Sequence, residues 1–128
     1  MSDYKIQNLK ELDDSAVKFG LSPDMEARFG RGPLGAERSG ISYQRLAPNF
    51  RHPFGHRHEA QEETYVVVGG SGRVKLEDEV RELRQWDALR VAPQTGRGFE
   101  AGPEGLELLV FGAGASGDAD MLDNWWSD

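Results

Sequence analysis

From Gly40 onward no apolar stretch holds a helical period, and turn-forming residues break the chain every several positions. Ile41 to Leu46 alternates in part and stops before Pro48. Glu63 to Val68 is β-branched and aromatic, and is predicted to end at Gly69-Gly70. Arg73 to Leu76 and Val80 to Leu83 flank Glu77-Asp78-Glu79, which predicts a hairpin. Ala88 to Val91 precedes Pro93, and Gly105 to Phe111 reads as an interior strand. Short strands separated by turns, with 16 glycines in all, predict an all-β fold, either a sandwich or a barrel.

The 128 residues suffice for one core and are too few for two ordinary domains. With a net charge of −7 and no basic run interleaved with aromatics, the chain is a poor match for nucleic acid or anionic lipid. The lack of cysteine excludes disulfides, thiol nucleophiles and Cys-ligated metals. Asp3, Gln7 and Asn8 interrupt the first ten residues, so no signal peptide is expected. No stretch approaches the roughly 18 apolar residues of a membrane span. The expected location is cytoplasmic.

Three regions are expected: an irregular N-terminal arm at 1–39, a β-barrel at 40–112 and a tail at 113–128. Within the arm, Ser22 as cap, Pro23 in the first turn and Asp24 and Glu26 near the dipole's positive end predict a short helix. Trp125 and Trp126 in the tail are expected to dock, since exposing both would be costly. Trp86 is expected to pack near a turn. Asp13-Asp14 and Glu77-Asp78-Glu79 read as solvated charge runs.

The stretch His56-Arg57-His58-Glu59-Ala60-Gln61-Glu62-Glu63 carries the chemistry. Residues two apart on a strand share a face, so His56 and His58 aim two imidazoles at one point. A tight turn after His58 is expected to bring Glu63 back on the neighbouring strand. Two imidazoles and a carboxylate suit a divalent ion such as Fe, Zn, Mn, Ni or Cu, with open positions for water, oxygen or substrate. His52 lies about 13 Å before His56 in an extended chain, too far to share an ion unless Pro53 and Gly55 fold the chain back. It is read as a loop histidine.

The run Gly55-His56-Arg57-His58, four residues, Glu63, six residues, Gly70 resembles the first motif of the cupin superfamily, in its small single-domain type-2 form. Glu62 is the adjacent alternative and is expected to face outward. A weaker second motif resembles Trp86-Asp87-Ala88-Leu89-Arg90-Val91-Ala92-Pro93 onward to Phe99. The resemblance covers roughly residues 40–112 and implies the double-stranded β-helix, or jelly-roll barrel. It departs from the family pattern at Trp86 and Gln94, where glycines are usual. At Arg97, where the family has its fourth ligand, a histidine, the guanidinium cannot ligate a metal. The implied metal set is therefore His56, His58 and Glu63.

Arg97 admits two orientations. Pointing inward, it pairs with Glu63, opposes a cation and offers a bidentate grip on an anionic ligand. Pointing outward, it leaves a three-ligand site. Tyr65 and Phe99 join Arg97 as expected substrate-binding residues. Three functions compete: a metal-dependent enzyme such as a dioxygenase or isomerase, a metal-free module binding an anion or sugar, and a metal-free acid–base isomerase using His56 or His58. The partner is a small molecule in each case. A homodimer is expected, because small cupins commonly pair and because the arm and the late tryptophans offer packing material.

Overall fold

The computed structural model describes residues 3–114 and 117–128. Eight strands form one curled antiparallel sheet: β1 (Met25–Phe29), β2 (Ser39–Leu46), β3 (Gly55–His58), β4 (Glu62–Leu76), β5 (Glu79–Leu83), β6 (Ala88–Val91), β7 (Arg97–Ala113) and β8 (Ala119–Leu122). The fold is an all-β jelly-roll barrel. Strands β4 and β7 form its spine, paired from Glu62↔Ala113 to Leu76↔Arg97. Strand β2 lies on the other edge of β7, with β1 outside it. Strand β3 bonds to β7 at His56↔Arg97 and to β8 on its far side. Strands β5 and β6 pair with β4. Among the described residues no helix is long and apolar enough to cross a membrane.

Glu63 to Val68 does not end at Gly69-Gly70 as the sequence predicts. The strand runs on to Leu76, with register shifts between Val67 and Gly69 and between Gly70 and Gly72. These shifts change which residues face the core. Tyr65 and Val67 are buried before them, Gly72 and Val74 after, so the inward set passes from odd to even positions. On β7 the same change separates Phe99 and Ala101 from Leu106, Leu108 and Val110. Each extra residue flips the pleat and bends the strand, as a bulge does. Gly70, at φ 69°, makes this possible, since a Cβ there would stand 2.0 Å from the Gly105 carbonyl oxygen. The core consists of these residues with Leu46 and Val91.

The helix predicted after Ser22 is absent. Residues 25–29 form β1 instead, with Ala27 buried and Glu26 held between Arg28 and Arg45. Few residues separate Pro23 from Gly30, too few to sustain a helical nucleus, whereas pairing to β2 satisfies the backbone at once. Among its described residues the arm has one α-helical turn, α1, which spans Arg31–Leu34 and ends at Gly35 in the left-handed region. The arm is thus less irregular than expected. Asp14 is no solvated charge, because its Oδ1 accepts from the Ala16 and Ala27 N–H groups at 3.0 and 2.9 Å. Likewise Glu77 accepts from the Gly96 N–H at 2.7 Å, tying the β4–β5 hairpin to the turn before Arg97.

Both late tryptophans dock. Trp125 lies over Gly55, Gly96 and Gly98, where any Cβ would collide with its ring. Trp126 donates from Nε1 to the His52 carbonyl at 2.8 Å and stacks under Arg51. Trp86, by contrast, does not pack. It is 71% exposed and holds φ at 74° in the turn before β6.

Candidate functional site

His56 and His58 point to one side of β3 as their spacing requires, and their rings meet edge to face at 5.2 Å. Glu63 does not reach them from a neighbouring strand. Among the described residues β3 bonds only to β7 and β8, while β4 bonds to β5, β6 and β7. Glu63 therefore meets the histidines across the barrel interior. Glu62 is exposed, as expected.

Four side chains converge on Glu63 Oε1. His56 Nε2 lies at 3.4 Å, His58 Nε2 at 3.2 Å and Arg97 Nη2 at 3.6 Å, and the Tyr65 hydroxyl donates to it at 2.5 Å. Burial alone would raise the Glu63 carboxyl. Hydrogen bonds from His56 and Tyr65 and the charges of both histidines outweigh it, holding the group down at about 2. Burial, followed by the Glu63 charge, pushes the Tyr65 phenol well above its ordinary range. It stays a hydrogen-bond donor at neutral pH.

Asp118 is the site residue that the sequence did not single out. Its Oδ1 lies 2.8 Å from His58 Nδ1, and its Oδ2 accepts from the Ala60 and Gln61 N–H groups at 2.7 and 3.0 Å. Those backbone bonds, with His58, hold its carboxyl below the usual range. Asp118 thus shapes the turn between β3 and β4. In the neutral His58 ring this contact puts the proton on Nδ1 and leaves the Nε2 lone pair toward Glu63. Sixty residues separate the pair, so no local spacing announces it.

A divalent ion fits this donor set. One ligand atom from each of His56, His58 and Glu63 lies within 4.8 Å of the others. Ligands about 2.1 Å from a common ion stand about 3.0–3.4 Å apart at octahedral or tetrahedral angles. The two histidine–Glu63 distances match that span. His58 Nε2 is buried and makes no hydrogen bond, although it lies 3.2 Å from the carboxylate oxygen. With His58 neutral, two lone-pair atoms face one gap, an arrangement that a cation resolves.

Arg97 points inward and is wholly buried. Its Nη1 donates to the Pro93 and Thr95 carbonyls at 3.2 and 2.8 Å. It lies beneath Glu63 and lines neither cavity that reaches the cluster, so the expected grip on an anionic ligand has no access. Phe99 is likewise in the core rather than on a cavity wall, 4.7 Å from the Tyr65 ring. Of the expected substrate-binding residues only Tyr65 faces the cavity. That cavity, about 220 Å³, is walled by Phe19, Leu21, Met25, Phe54 and Met121 and reaches His56, His58 and Glu63. A wider cleft of about 720 Å³, bordered by Arg31, Ile41 and Val110, opens onto His58 and Glu63 from another side.

No family model matches the sequence, and no curated protein matches it either. Solved structures do match in fold. The polyketide cyclase RemF from Streptomyces resistomycificus is 22% identical at a TM-score of 0.75, over 97% of this chain and 87% of that one. PAC13 from Streptomyces, solved with uridine, is 18% identical at 0.75, over 96% and 93%. A cupin protein from Bacteroides fragilis is 22% identical at 0.73, over 91% and 88%. This chain therefore has the small cupin fold, the double-stranded β-helix.

Proposed function

We propose that this cupin-fold chain binds a small molecule beside a divalent metal ion held by His56, His58 and Glu63. The arrangement of His58 carries the proposal: Asp118 turns its Nε2 lone pair into a gap shared with the Glu63 carboxylate, where it has no hydrogen bond. A carboxylate behind a ligating histidine orients the ring and strengthens its donation. A bound ion would supply Lewis-acid or oxygen-activating chemistry, which suits an isomerase or a dioxygenase. The protein's own groups line the cavity mostly with apolar side chains and present the Tyr65 hydroxyl beside Glu63. RemF, a cyclase, and PAC13, solved with uridine, are small-molecule proteins of this fold, which supports the same class here.

Arg97 favours a second reading. Its cation, buried against Glu63, already neutralises the one ligating carboxylate. On that reading the site is metal-free, and it either binds a small ligand or works by proton transfer through His56 or His58.

The homodimer stays within the proposal with less to support it than the sequence offered. The arm and the tryptophans pack largely on their own barrel, and what remains is a set of exposed apolar side chains including Phe19, Phe29 and Met121.

Elemental mass spectrometry on protein purified without chelator tests the metal. A near-stoichiometric transition metal that is lost in His56→Ala supports the first reading. No uptake after loading with Fe, Zn, Mn, Ni and Cu overturns it and leaves the second.

A further inference from the structure

The pairing of β3 with β7 is thin. Within the two strands it consists of His56↔Arg97, preceded by a bridge of Arg51 to Glu100. Between those points the chain passes through Pro53 and Gly55 and is longer than the stretch of β7 it faces. So short a ladder does not by itself fix how far His56 stands from Arg97. The other two members of the cluster have supports of their own: Asp118 orients His58, and the Tyr65 hydroxyl donates to Glu63. His56 differs. Among the described residues its ring has no hydrogen-bond partner other than Glu63. Its aim therefore follows the backbone that carries it.

Behind that backbone lies Trp125. Successive residues of a strand face opposite sides, so Gly55 points away from the side that His56 faces, and Gly96 and Gly98 point away from the side that Arg97 faces. The indole covers all three. A Cβ at Gly55 would stand 2.5 Å from Cδ2 of the indole, one at Gly96 2.7 Å from Cη2, and one at Gly98 2.7 Å from Cδ1. The ring thus lies lengthwise across both strands where His56 meets Arg97. Lys75 holds it in place, with Nζ donating to the Trp125 carbonyl and lying 4.3 Å from the ring centroid. The residues after it extend the grip: Asp128 pairs with Arg51 and Arg73 at 3.2 and 3.0 Å, and Trp126 Nε1 donates to the His52 carbonyl at 2.8 Å. His52 lies in the loop before β3, as expected, but it is buried, with Nδ1 accepting the Phe99 N–H at 3.1 Å.

We infer that Trp125 is a positioning residue for the His56–His58–Glu63 cluster: its indole, packed on the opposite face of β3 and β7, sets where His56 stands relative to Arg97 and Glu63. The inference rests on that cluster being the functional site. It concerns the backbone, so it holds with or without an ion.

Four variants separate positioning from stability. Trp125→Leu keeps apolar volume in the groove and removes the flat ring, whereas Trp125→Phe keeps a flat ring. Gly98→Ala pushes the indole off while leaving it in the chain, and covers the case in which Trp125→Leu fails to fold. Leu106→Val thins the core elsewhere on β7, where Leu106 pairs with Leu46. The cross-strand Overhauser contact between backbone protons of His56 and Arg97 is measured in chelator-treated protein, and nickel affinity by calorimetry. In Trp125→Leu and Gly98→Ala the contact is expected to weaken at least ~2-fold and nickel affinity to fall about tenfold, the lower end of what losing a support behind a metal ligand costs. Trp125→Phe should recover most of both, and Leu106→Val should change neither. An unchanged contact in the first two variants, an equal effect in Leu106→Val, no recovery in Trp125→Phe, or a weakened contact with nickel affinity kept would each overturn the inference. A wild type that takes up no nickel overturns the metal reading alone, and the His56–Arg97 contact then decides this one by itself.

Discussion

Arg97 Nη2 lies 3.6 Å from Glu63 Oε1, and the guanidinium has no exposed surface. A fixed positive charge thus stands against the one carboxylate that could ligate a metal. Two unit charges at about 4 Å interact by about 4 kcal/mol at an effective dielectric of about 20, so the arginine weighs heavily on any cation placed there.

Arg97→His removes that charge and places an imidazole opposite His56 in the β3–β7 ladder. Divalent metal affinity is expected to rise by at least ~10-fold, a modest share of the electrostatic change. Calorimetric titration with Zn and Ni checks it. Equal affinity in variant and wild type would show that Arg97 does not govern the site.

Asp118→Asn keeps the size of the side chain and removes the carboxylate behind His58. Loss of such an orienting group typically costs about 10–100-fold in metal affinity, and the same loss is expected here. Competition with a chromogenic chelator measures it. Circular dichroism should show the barrel intact.

Stability should fall on mild acidification because of His52. The folded protein holds this imidazole at about 4, against the ordinary 6.5. Between those values the unfolded chain binds the extra proton, so folding is favoured less as pH falls through the window. The full difference is of order 3 kcal/mol at about 1.4 kcal/mol per pKa unit. Urea unfolding at pH 7 and pH 4 reads it, and His52→Asn should shrink the change. The carboxylates held low, Glu26, Glu63, Glu100 and Asp128, act in the same direction at pH values below about 4.5.

Trp125→Ala empties the groove over Gly55, Gly96 and Gly98 and should destabilise the fold by about 3–5 kcal/mol. Trp86→Ser alters a ring that is 71% exposed and should stay within about 0.5 kcal/mol of wild type. Urea midpoints of the two variants test the contrast.

The pairing of His56 with His58 was legible because the pleat of a strand repeats every two residues and needs no knowledge of the partner strand. Gly70 was legible as well, as the glycine that the motif places after Glu63, and its positive φ gives the reason. Residues 25–29 misled. The cap and proline before them are genuine local helix signals, and only the available edge of β2 made a strand the better solution. Trp86 misled in the opposite direction, since an indole is expected to pack and this one holds an exposed turn.

The sequence by itself determined the strand-rich barrel, the shared face of His56 and His58, the presence of Glu63 and the substitution of arginine for a fourth ligand. The strands and the shared histidine face follow from periodicity within short segments, whereas the barrel and the arginine in place of a fourth ligand rested on the resemblance of two motifs to the cupin family. The tertiary structure alone decided that Arg97 lies buried beside Glu63, that Asp118 orients His58 from sixty residues away, and that His52 is buried against Phe99. Contacts of that kind depend on how β3, β7 and the tail are brought together in space. Barrel closure sets that arrangement, and no local run of residues encodes it.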